Sequence, residues 1–143
     1  MKKLLFFSFL FLCLANCKDN DDIDLTALDC DEIACTEIYV TLLVYLKDAS
    51  GLAISLDRFE VIDKDSSKNI TIPLSDSGFQ HAQQFGYYPL YDDSFLTKNV
   101  NTKRSLVFKG FINDEKVVEA EYVIANDCCH VRMVSGDTDI TIN

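Results

Sequence analysis

Residues 36–63 read TEIYVTLLVYLKDASGLAISLDRFEVID, and their alternation decides the fold class. Ile38, Val40, Leu42, Val44 and Leu46 recur at every second position, with Tyr39, Thr41, Leu43 and Tyr45 between them. A period of two sends successive side chains to opposite faces of an extended chain, so this is a half-buried β-strand and not a helix. Asp48-Ala49-Ser50-Gly51 then supplies turn chemistry, Gly51 being free to take positive φ. A second strand is predicted over residues 54–63, with Leu56, Phe59 and Val61 inward. The change of parity between Leu56 and Phe59 predicts a bulge near Asp57 or Arg58.

Working outward, residues 64–68 are polar and read as a hairpin loop, and residues 69–74 as a third strand that Pro73 marks as an edge or an ending. Residues 75–103 contain Gly78, Gly86 and Pro89 with no sustained period, and read as loops with one short strand or helical turn near residues 87–96. Residues 105–112 and 116–124 flank Asn113-Asp114-Glu115, a hairpin signal. Residues 128–134 and 139–142 form the last pair around Ser135-Gly136-Asp137. About seven short strands with turns roughly every 8 to 12 residues predict an all-β antiparallel β-sandwich over residues 34–143. The strand, the turn at residues 48–53 and the strand after it resemble the opening of transthyretin-like or carboxypeptidase regulatory-like domains. The chain departs from them at Leu52-Ala53, where a proline commonly follows the glycine. The resemblance implies a transthyretin-like or immunoglobulin-like sandwich acting as a non-catalytic accessory module.

The N-terminus points to export. Lys2 and Lys3 precede an apolar run over residues 4–14, the order of a secretory signal and too short to span a bilayer, which needs about 20 residues. Leu14-Ala15-Asn16-Cys17 resembles the lipobox of bacterial lipoproteins, which implies cleavage after residue 16 and lipid on Cys17, with Asn16 where a smaller residue is usual. Residues 17–33 are expected to form a lipidated acidic tether, since Lys18-Asp19-Asn20-Asp21-Asp22 has nothing to bury. That stretch also resembles the acidic export tag of surface-displayed lipoproteins. The expected location is the bacterial outer membrane, lipid-anchored, with the domain at the cell surface or in the periplasm.

Loss of Lys2 and Lys3 with the signal takes the formal net charge from −10 to −12. Such an excess of acid repels phosphate backbones and anionic headgroups, which argues against nucleic acid and against peripheral membrane binding by the domain itself. With Cys13 removed and Cys17 lipidated, Cys30, Cys35, Cys128 and Cys129 remain. Four cysteines in a small exported domain read as disulfides. If Cys128 and Cys129 are strand neighbours their side chains diverge, so each must bond to the first pair. Strand parity then predicts Cys35 with Cys128 and Cys30 with Cys129. A zinc site on Cys128, Cys129 and His130 is the rival reading.

Neither histidine sits in a catalytic or metal motif: His-Glu-x-x-His, Gly-x-Ser-x-Gly and a phosphate-cradling glycine loop are all missing. His130 is expected on the outer face of a strand, and His81 on a loop or short helix. Asp63, Asp65, Asp76, Asp92 and Asp93 could gather around calcium, but without the spacing of a calcium loop. No catalytic residue, metal or cofactor is therefore expected. The segment that can form a binding loop is residues 86–95, through Tyr87, Tyr88, Tyr91, Asp92 and Asp93, because rings beside carboxylates stack on sugars or grip a protein. The reading favoured over it is that Tyr88, Leu90 and Phe95 plug one end of the sandwich, since the chain has no tryptophan and no second aromatic cluster. The expected function is a non-enzymatic accessory or binding protein of the cell envelope with a protein or glycan partner. A carbohydrate-binding module is the alternative, and a metal-assisted hydrolase a third.

Overall fold

The computed structural model describes residues 30–96 and 101–143. The signal, Cys17 and the acidic stretch after it lie outside the described residues. The fold is an all-β sandwich of two sheets, one ordered β4-β1-β8 and the other β3-β2-β5-β6-β7. The strands are β1 (Thr41–Asp48), β2 (Arg58–Asp63), β3 (Lys68–Asn69), β4 (Tyr87–Asp92), β5 (Thr102–Ile112), β6 (Glu115–Asn126), β7 (Val131–Ser135) and β8 (Asp139–Ile142). Among the described residues eight strands stand where about seven were expected. One pairing is not antiparallel, because β8 returns to lie parallel to β1, with Leu46 opposite Ile140.

Alternation sets the layers. Val44 and Leu46 of β1, Phe59 and Val61 of β2, Leu90 of β4, Leu106 and Phe108 of β5 and Ile124 of β6 are buried between the sheets. Rings bind the core within and across them: Phe59 lies 5.9 Å from Phe108 of its own sheet and 5.5 Å from Tyr88 of the other. The apolar stripe of β1 begins later than its sequence suggests, for Ile38 precedes the strand and is mostly exposed.

The parity change after Leu56 does not come from a bulge at Asp57 or Arg58. Between Ile54, whose N–H donates to Leu46 O (3.0 Å), and Asp57, whose N–H donates to Phe111 O (2.9 Å), the chain leaves the ladder instead, and the Tyr88 hydroxyl, donating to Ile54 O (2.9 Å) and accepting from Leu56 N–H (2.7 Å), supplies the partners there. The register shift is on the neighbouring β5, between Gly110 and Phe111. β3 is likewise shorter than residues 69–74, because beyond Asn69 the Thr71 hydroxyl takes the Val61 N–H (2.8 Å) in place of a main-chain carbonyl.

The largest departure is a ten-residue helix, α1 (Asp76–Phe85), in a stretch expected to be mainly loops, with a short helix one of the two options at His81. Its signals are local. The Ser75 hydroxyl accepts the Gly78 N–H, and Gly86, at φ 72°, closes the other end with its N–H on Ala82 O. Its contact with the sandwich is slight: Phe79 stacks on Phe59 at 6.4 Å, Ala82 is buried, and Gln83 Nε2 donates to Leu56 O at 2.8 Å. So short a buried face has too few apolar residues to register as helical periodicity.

Candidate functional site

Two places gather chemistry-bearing side chains: the corner where the chain enters the sandwich, and the outer face of the three-stranded sheet. The corner holds both disulfides. Cys30 is bonded to Cys128 and Cys35 to Cys129, with Cα separations of 5.3 and 5.2 Å. All four expected cysteines are joined, and the entry segment is tied to the same late segment, but the pairing is the reverse of the parity argument. The reason is that Cys128 and Cys129 sit in the turn between β6 and β7, and Cys35 precedes β1, so strand alternation governs none of them. With both sulfurs in disulfides, neither Cys128 nor Cys129 offers a thiolate, which removes the zinc reading.

His130 is in that turn too, not on the outer face of a strand. Its Nδ1–H donates to Asp93 Oδ2 at 2.8 Å, and its Nε2 lies 2.9 Å from Thr36 Oγ1. Asp93 also accepts Val40 N–H on Oδ2 (2.8 Å) and Val131 N–H on Oδ1 (2.9 Å). Burial pushes its carboxyl upward, but the His130 hydrogen bond and the two amides outweigh burial and hold it below its ordinary value of 3.8. A hydroxyl, an imidazole and a carboxylate in series is an order of groups that can relay a proton. Here the Thr36–His130 contact continues the Cys35–Cys129 bond one residue further along each segment, so it follows from the staple and braces the entry of the chain.

The five residues expected to form a binding loop do not form one. Tyr87 to Asp92 are β4, antiparallel to β1. Tyr88 and Tyr91 are core residues, and burial raises the pKa of both phenols. Tyr91 accepts from Asn126 Nδ2 at 3.2 Å and stacks on Phe95 at 4.4 Å. Asp92 Oδ1 accepts the Ser94 N–H at 3.0 Å, capping the 3-10 turn Asp93–Phe95. Of the other carboxylates considered for calcium, Asp63 pairs with Arg104, while Asp65 and Asp76 are exposed, Asp76 in the first turn of α1. Among the described residues no three His, Cys, Asp or Glu converge on a point that could hold a metal.

Only Tyr87 of the five faces solvent, at 45% exposed, and its partner is one the sequence reading passed over. Tyr45 lies opposite it across the β1–β4 register and stacks on it, the ring centroids 4.6 Å apart. On its other side Tyr45 is registered with Asp139 of β8. Lys47 reaches Asp139 at 2.6 Å, and its Nζ lies 5.8 Å from the Tyr45 ring centre. Leu43, two residues back on the same face, is 41% exposed. The signal was present in the second parity class of β1: Leu43 and Tyr45 are bulky residues on the strand face turned away from the core, where water-facing positions are usually polar. Comparison of the chain with protein-family models, with curated proteins and with solved structures returns no match.

Proposed function

We propose that this chain is an exported bacterial lipoprotein, anchored to the outer membrane by lipid on Cys17, whose β-sandwich is a non-enzymatic binding module of the cell envelope. The observation that carries the reading is the pair of disulfides from Cys30 and Cys35 to Cys128 and Cys129. Such bonds form and persist outside the reducing cytoplasm, in agreement with the signal pattern and with the lipobox-like residues 14–17. The transthyretin-like resemblance of residues 36–63 supports an accessory role, as does the use of Asp93 and His130 in bracing the entry segment.

The anchor is tested by replacing Cys17 with alanine and following incorporation of labelled fatty acid. The expected result is loss of label and release of exported protein into the soluble fraction. Undiminished labelling contradicts the anchor. A second reading, carbohydrate binding, is favoured by the Tyr45–Tyr87 stack.

A further inference from the structure

The strand β1 has two ends with different contents. At its start Val40 is bonded to Asp93 beside the disulfides, where the chain enters. At its finish stand Tyr45, Lys47 and the turn at Gly51. From Val40 to Lys47 is about 23 Å at the usual strand rise. The Tyr45–Tyr87 stack therefore lies toward the end of the sandwich away from the entry. Two further exposed apolar residues are chain neighbours of positions that pack beside it. Gly86 packs so closely that an added Cβ would lie 2.4 Å from Leu46 O, 3.2 Å from Ala53 Cβ and 3.3 Å from Tyr45 Cε2. The chain neighbours of Gly86 and Ala53 are Phe85 and Leu52, 43% and 67% exposed.

We propose that this aromatic surface, Tyr87 and Tyr45 with the Lys47–Asp139 pair beside them, is a binding site for a neutral glycan. The proposal rests on the reading of the domain as an envelope binding module and names the ligand of that module. A pyranose has an apolar C–H face and a rim of hydroxyls that both donate and accept. Row by row across the sheet the site supplies the complements: the Tyr87 ring, backed on one side by Tyr45 and open to solvent on the other, for the face, then Asp139 as acceptor and Lys47 as donor for the rim. Charge selects among occupants. Lys47 and Asp139 cancel within the site, while the formal −10 of the chain repels polyanionic polysaccharide and a second copy of the same chain.

The test is affinity electrophoresis of the full chain, purified in detergent, through native gels cast with xyloglucan, mixed-linkage glucan, xylan or galactomannan, and with alginate as the polyanion. The expected result is retardation by at least one neutral polymer and none by alginate. Tyr87→Ala should weaken that binding at least about tenfold, the order of one lost stacking contact, and Tyr87→Phe should keep most of it. Asp139→Asn, at a second exposed position, should also weaken it. Retardation by no neutral polymer, equal retardation by alginate, or unchanged binding by Tyr87→Ala and Asp139→Asn overturns the glycan site. A photo-crosslinker at position 87 separates this failure from failure of the broader reading. Capture of a protein there on intact cells, with every polysaccharide inert, overturns the glycan and leaves an envelope binding module standing.

Discussion

Asp63 and Asp93 are carboxylates that the fold removes from water and then surrounds with donors. For Asp63 burial pushes the pKa up, but the Ser66 backbone N–H and hydroxyl, the Arg104 guanidinium and the Asp65 amide together hold it below 3.8. Asp93 is lowered in the same sense. A folded-state pKa below the unfolded one adds stability that is present above about pH 4 and is lost as pH falls through the lowered value. Thermal melting across an acid series should therefore fall off below about pH 4. Asp63→Asn, which removes the buried carboxylate that pairs with Arg104 and accepts the Ser66 N–H, should cost about 2 kcal/mol at neutral pH and flatten that acid limb. Tyr122 works at the other extreme. Burial, then the nearby Asp137 carboxylate, raises its pKa to about 12, and its hydroxyl donates to Asp137 O at 2.8 Å. Its stabilising effect is complete below pH 10 and fades as pH rises toward 12. Absorbance at 295 nm should show Tyr88, Tyr91 and Tyr122 ionising only as the protein unfolds in alkali; smooth titration of all tyrosines ahead of unfolding would contradict their burial.

At the scale of elements, the parts that alternation could place were legible and the parts held by side-chain hydrogen bonds were not. The inward positions Phe59 and Val61 could be read because burial on one face imposes period two; both are buried, as is Leu56 ahead of the strand. The β5–β6 hairpin was legible from Asn113 and Asp114, which take φ of 50° and 63°, the positive values a two-residue turn requires. The helix α1 was not, since its ends are set by Ser75 and Gly86 while its middle is mostly polar. Nor was the disulfide pairing, because parity has no meaning in the turn that carries Cys128 and Cys129. Two substitutions test these elements by chemical unfolding. Asp114→Gly relieves an L-residue at positive φ and should stabilise by about 0.5–1 kcal/mol. Gly86→Ala meets both φ 72° and the Leu46 carbonyl at 2.4 Å, and should cost about 2 kcal/mol or more. No loss in Gly86→Ala would contradict the close packing of β4's start against β1.

For the whole molecule, two disulfides across sequence separations of 98 and 94 residues hold the entry segment to the turn before β7. Closing one such loop is worth about 4 to 5 kcal/mol in the chain-entropy picture, and the two do not add because their loops nearly coincide. Reductant should therefore lower the melting temperature sharply, whereas replacing one bonded pair by alanines should cost much less than losing both. Cys30 lies within residues 17–33, expected to form the tether, and the first bond ties the end of that segment to the sandwich. The central claim is a disulfide-stapled domain exported and lipidated at Cys17. Its most direct test is mass-spectrometric peptide mapping, without reduction, of the protein isolated from the cell envelope. The expected result is an N-terminal peptide beginning at a diacylglyceryl-modified Cys17, with crosslinks joining Cys30 to Cys128 and Cys35 to Cys129. Peptides running through residues 1–16, with free thiols at all four domain cysteines, would contradict it.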